Sequence, residues 1–224
     1  KIKPLKPFYD YVSFWQSISI DKYGKLAVLG TYDGRVFIFD LDTVRPKRIL
    51  HISTPIVISN IPVSASSTYV HISKDGTIYV ETGKSTIPYG LKITTSTPPG
   101  PHPHANTLWA ISQDGDILWR FSPGRDFRMH GFASSSNGRF LAVCADSTNI
   151  RDDEKLFGLF LFDTWREGGG MEKLYSYYPT SSPCFFHLDM SSDGRYIAIV
   201  EVPYRSVEME RFIGNYKVLL LERE

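Results

Sequence analysis

Apolar and polar positions alternate with a period of two along most of the 224-residue chain. No stretch of any length shows the 3.6-residue period of an amphipathic helix, so the pattern predicts strands throughout. Four segments repeat one grammar: an alternating strand, a short polar turn closing on Gly, and a second apolar strand. They are residues 17–30 (SISIDKYGKLAVLG), 69–80 (YVHISKDGTIYV), 131–144 (GFASSSNGRFLAVC) and 187–200 (HLDMSSDGRYIAIV). The turn glycines Gly24, Gly76, Gly138 and Gly194 stand 52, 62 and 56 residues apart. In the last three units an Asp-Gly or Asn-Gly pair supplies the positive φ of a tight hairpin, and the first has Tyr23-Gly24.

A third apolar run follows each pair, over residues 35–41, 106–112, 157–163 and 215–221. An outer fourth run follows in three units, over 47–52, 117–122 and 172–178. Four short antiparallel strands per unit, restarted four times, is the grammar of a β-propeller blade; a sandwich does not restart its motif. The expected fold is all-β, a single propeller domain with blades at about 14–52, 66–122, 128–178 and 184–224. Such a sheet is apolar on both faces and buries them only against neighbours. Four and six residues before each Gly stand Ile20/Ile18, Ile72/Val70, Ser134/Phe132 and Met190/Leu188, a mostly apolar face. The alternate positions, Ser19/Ser17, His71/Tyr69, Ala133/Gly131 and Asp189/His187, are small or polar and suit the crowded ends near a central channel. The last unit shows no outer strand, and residues 6–13 (KPFYDYVS) are an unassigned strand candidate. Two arrangements follow: a small four-bladed ring closed by that N-terminal strand, or part of a larger ring.

At these residues the chain resembles the WD-repeat and YVTN-type propellers, through SSDGRYIAIV and the strand endings Phe39-Asp40 and Phe162-Asp163. The second unit is more similar to the repeat of PQQ-type propellers: DGTIYV, then NTLWAIS, then DGDILWRF. The resemblance covers about residues 13–221 and implies fold rather than function, since propellers host many unrelated roles. It lacks the Gly-His and Trp-Asp pairs of WD repeats. The YVTN likeness implies a rival, a hydrolase or lactonase using channel-facing His71, His187 and Asp189.

Net charge is +1, with 25 Lys and Arg against 24 Asp and Glu, so no bulk field draws nucleic acid or an anionic membrane. No apolar run approaches the roughly 18–20 residues of a membrane helix. The chain begins at Lys1 and reads as processed or cut from something longer. Its abundance of Ser, Thr, Tyr and Gly resembles an exported domain, and a structural domain of a longer cell-surface protein is a further reading. Cys144 and Cys184 fall at strand ends on one rim of adjacent blades, where either a disulfide or two buried thiols fit.

The extra chain length sits in second-to-third-strand connections: residues 82–105, 146–155 and 202–214. By blade topology these share one rim with the interblade linkers 54–65 and 123–127. Long loops on a rigid scaffold carry binding, and Tyr and Arg dominate interface energetics. The expected partner contacts are Tyr89, His102, His104, Arg151, Tyr204, Arg205 and Arg211, presented to a protein by a non-enzymatic module. His102-Pro103-His104 reads as a solvated loop pair rather than metal ligands, having no carboxylate or thiolate at ligand spacing. Asp152-Asp153-Glu154 lacks the alternating spacing of a calcium loop and reads as an exposed acidic loop. No Gly-x-Ser-x-Gly elbow and no phosphate-cradling loop occurs, and no cofactor is expected.

Overall fold

A computed structural model describes residues 17–87, 100–122, 127–147, 157–165, 172–177, 184–206, 211–213 and 215–224. All regular structure among them is strand. The first sheet holds β1 (Ile18–Ile20), β2 (Leu26–Gly30), β3 (Arg35–Asp40) and β4 (Arg45–His51), paired in that order. The second joins β5 (Ile56–Ile58), β6 (Ile61–Ile72), β7 (Ile78–Thr86), β8 (Thr107–Ile111) and β9 (Ile117–Phe121). The third holds β10 (Phe127–Ser134), β11 (Phe140–Ser147), β12 (Phe157–Asp163) and β13 (Glu172–Tyr177). In the fourth, β14 (Cys184–Met190) and β15 (Tyr196–Val202) pair with β18 (Lys217–Glu222). Between them β16 (Tyr204–Ser206) and β17 (Arg211–Ile213) form a separate hairpin. Every pairing is antiparallel.

Each sheet packs its faces on its sequence neighbours, which gives three cores rather than one. Val28, Val36 and Ile38 of the first sheet meet Val70, Ile72, Ile78 and Val80 of the second. Tyr79, Leu108 and Ala110, on the opposite face of that second sheet, meet Leu141, Val143, Phe160 and Phe162 of the third. Ala142, Cys144, Leu159 and Leu161 then meet Met190, Ile197 and Ile199 of the fourth. Full burial of a side chain of this size is worth about 1.5–3 kcal/mol, so each interface outweighs any single hydrogen bond in it.

The two faces of the inner strands divide as the alternation predicts. Val70 and Ile72, Phe132, and Leu188 and Met190 all point to the preceding sheet. Of the small or polar positions, Ala133 packs on the following sheet, and Ser19 and His71 make hydrogen bonds to it. Ser19 Oγ accepts the Ile72 N–H at 3.1 Å, and His71 Nε2 lies 3.0 Å from Ser134 Oγ. Among the described residues no sheet covers the outer face of the first, where Ile18 and Ile20 are 64% and 58% exposed. At the other end Val218 and Leu220 are 75% and 69% exposed. Among the described residues the outer faces of the first and fourth sheets do not cover one another. Residues 6–13, the strand candidate for closing a small ring, lie outside the described residues.

The hairpin turns share a device finer than Asp-Gly. In Ser73-Lys74-Asp75-Gly76, Ser135-Ser136-Asn137-Gly138 and Ser191-Ser192-Asp193-Gly194, the Ser hydroxyl donates to the Asx side chain. The Asx oxygen in turn accepts the N–H two residues on. Asp21 replaces the Ser in the first unit, its carboxylate accepting the N–H of Lys25 and of Leu26. The second sheet's turn is one residue shorter. Ser73 N–H donates to Thr77 O, whereas Ser135 and Ser191 reach Phe140 and Tyr196, one position further from the Gly. Tyr79 consequently faces the following sheet, while Leu141 and Ile197, equally spaced from their glycines, face the preceding one.

Successive turns also interlock. Ser136 N–H donates to Ser192 O at 2.8 Å. Gly194 has φ +73°, and a Cβ there would stand 2.6 Å from the Phe140 ring of the third sheet. Gly24, with φ +68°, has nothing within 4 Å of its Cβ position. Gly24→Ala is expected to cost about 1 kcal/mol, the left-handed backbone strain alone. Gly194→Ala adds overpacking and is expected to lose about 3 kcal/mol. Urea unfolding of the two variants measures the difference, and equal losses would show that the turns do not interlock.

Candidate functional site

The rim carrying the second-to-third-strand connections is built from polar residues. In the first sheet that connection is a tight turn, Thr31-Tyr32-Asp33-Gly34, in which Thr31 Oγ1 donates to Asp33 at 2.6 Å. Ser53 N–H, from the linker leading to the second sheet, donates to Gly34 O, and Ala65 N–H donates to Ser53 O. In the second sheet β5 precedes the four strands of the blade, so the corresponding connection is β7–β8, and it is long. It differs from the expected loop over 82–105 in that β7 runs on to Thr86, pairing with Ser64 and Ala65 of the long β6.

The returning end of this connection bears the His-Pro-His motif, and the structure corrects its reading as a solvated pair. His102 is only 4% exposed. Its Nε2 donates to Thr54 O at 3.2 Å, and its Nδ1 accepts the His104 N–H at 3.1 Å. His104 Nδ1 donates to Ile52 O at 2.6 Å, and its Nε2 faces Arg120 at 3.4 Å. The two rings meet edge to face at 5.6 Å, and His104 meets Trp109 likewise at 5.1 Å. Thr82 Oγ1 donates to the backbone carbonyls of His104 and Thr107, which ties β7 to the same motif. Both imidazoles thus hold the linker between the first two sheets.

The other expected contacts separate. Tyr204, Arg205 and Arg211 lie on the β16–β17 hairpin, in register with Ile213, Phe212 and Ser206 respectively. Residues 202–214, expected as a loop, thus carry a small sheet of their own. Tyr89, Arg151 and the acidic run Asp152–Glu154 lie outside the described residues. Tyr216, just before β18, is 79% exposed, and Trp165, after β12, is 54% exposed. Sequence reasoning did not select Trp165; its signal is a lone aromatic directly after a strand's closing Asp163-Thr164.

Of the channel-facing trio, His71 lies within electrostatic reach of Asp189. His71 bonds across to Ser134, whereas His187 and Asp189 are exposed and Asp189 Oδ1 accepts the Met190 N–H of its own strand. Among the described residues no group of three His, Cys, Asp or Glu side chains is disposed to hold a metal ion. Cys144 is a buried free thiol whose Sγ donates to Gly131 O at 3.5 Å. Cys184 opens β14 opposite Val202.

No protein-family model and no curated protein matches the chain. Solved structures do. The Swd1 (Cps50) propeller domain of Myceliophteria thermophila superposes with a TM-score of 0.53 at 13% identity, over 93% of this chain and 54% of that one. Sqt1 of Saccharomyces cerevisiae gives 0.57 at 8% identity, over 89% and 45%. KlAtg21, solved in complex with the coiled coil of AgAtg16, gives 0.54 at 11%, over 82% and 48%. The chain has the β-propeller fold. At these identities the likeness is one of fold, and the chain spans about half the length of the propellers it matches.

Burial lowers the pKa of both His71 and His102 below the ordinary 6.5, against the opposing pull of Asp189 on His71 and of the Thr54 carbonyl on His102. A histidine held below its unfolded value is protonated first in the unfolded chain. The stability it contributes is complete above about pH 6.5 and is lost as pH falls through the folded value. Unfolding free energy, measured in urea from about pH 7.5 to 5.5, is expected to decline with acidification. A rise over that interval would contradict the neutral assignment of these rings.

Proposed function

We propose that this propeller is a non-enzymatic interaction module that presents its loop-bearing rim to a protein partner. The observation that carries the reading is the asymmetry between the two rims. On one, the first-to-second-strand turns of all four sheets are tight and closed by their own Asx or Ser side chains. On the other, second-to-third connections hold the extended β7–β8 excursion and the β16–β17 hairpin, beside the interblade linkers. Chain length beyond what the blade needs is thus concentrated where it is free to vary without disturbing the interblade cores.

Tyr204, Arg205 and Arg211 on the hairpin, with Tyr89 and Arg151 in the neighbouring connections, are the contacts assigned to the partner. Aromatic and guanidinium groups supply large contact area and multiple donors, and they dominate measured interface energetics. With a net charge of +1, the chain recognises its partner by shape and local groups rather than by a long-range field. KlAtg21 with its AgAtg16 coiled coil shows that a propeller of this fold can seat a helical protein.

The test compares the wild-type chain with a variant whose 82–105 and 202–214 connections are replaced by short turns, both immobilised and exposed to lysate of the source cell. Proteins retained by the wild type are expected to be lost from the variant, with unfolding midpoints confirming that both are folded. An unchanged set of retained proteins would exclude this rim as the interaction face.

A further inference from the structure

The His-Pro-His motif fastens two segments far apart in sequence, the returning end of the β7–β8 connection and the linker that joins the first two sheets. Its hydrogen bonds fix both protons. His102 accepts at Nδ1 and donates at Nε2, while His104 donates at Nδ1 and presents Nε2 to Arg120. A neutral imidazole has one donor and one acceptor nitrogen, and here every one of the four is used in its proper sense. An imidazolium has two donors and no acceptor. A proton on His102 Nδ1 would therefore meet the His104 N–H, donor against donor, in a place only 4% exposed.

We propose that His102 and the His104 amide form a proton-released clasp, closed while the His102 ring is neutral, which on acidification frees the base of the rim connection from the interblade linker. No carboxylate among the described residues hydrogen-bonds to either ring. Among the described residues, β9 contributes Arg120, and β8 contributes the Trp109 ring. The linker meets the rings with the carbonyls of Ile52 and Thr54. From β7, Ser85 Oγ accepts the His102 N–H and Thr82 binds the His104 carbonyl, so neither titrates. The clasp rests on hydrogen-bond geometry alone and does not depend on what the rim binds.

Imidazole nitrogen correlations in NMR of the full chain test it directly. At about pH 7.5 the His102 ring is expected to carry its proton on Nε2 and the His104 ring on Nδ1. Between about pH 7.5 and 5.5 the exchange protection factor of the His104 amide is expected to fall about tenfold, while that of Val143, in the core between the second and third sheets, falls by a smaller factor set by global stability alone. In His102→Asn the side-chain oxygen can still accept the N–H two residues on but does not titrate, so protection there is expected to be independent of pH. A His102 proton on Nδ1 at neutral pH would overturn the proposal. So would constant His104 protection in the wild type, an equal fall in His102→Asn, or a parallel fall at Val143. The wild-type tautomer and exchange measurements decide the matter even if the variant fails to fold.

Discussion

Everything in this molecule rests on sheets that are apolar on both faces. A strand order in which Leu141 and Val143 point one way while Ala142 and Cys144 point the other leaves no face to be given to water. The third sheet is stable only because the second lies on one side and the fourth on the other. That requirement fixes the architecture as a stack of neighbours with separate cores in between, and it explains why the grammar repeats along the chain. It also explains the exposure of Ile18 and Ile20 at one end and of Val218 and Leu220 at the other, where no sheet among the described residues covers them.

The polar features follow from the same constraint. Where inner strands crowd together, large side chains on both faces would not fit, and Ser19 and His71 replace packing with a hydrogen bond to the next sheet. The first-to-second-strand turns must be short because successive turns touch, as Ser136 and Ser192 do. The opposite rim has no such limit. There the chain adds the β7 extension, the His102–His104 clasp and the β16–β17 hairpin without loss to the cores.

Much of this was legible in the sequence because alternation and turn chemistry are local. Phe157–Asp163 and Lys217–Glu222 stand where apolar runs place third strands, and the division of the inner strands into a bulky and a polar face matches the packing. The His102 environment was not legible, because its burial is made by Thr54 and Ser85, neither of them near it in sequence. The face swap at Tyr79 escaped as well: alignment on Gly76 conceals a turn one residue shorter than its relatives. Nor does the sequence distinguish a loop from a strand that outlasts its blade, as β7 does to Thr86, because its continuation depends on the length of β6.

Methyl–methyl nuclear Overhauser contacts test the sequential stack most directly. The account predicts contacts linking Val28 to Val70 and Ile72, Leu108 to Leu141 and Val143, and Leu161 to Ile197 and Ile199, with none between the first and third sheets. Contacts that join Val28 to Leu141 or Val143, as in two sheets laid face to face, would contradict it.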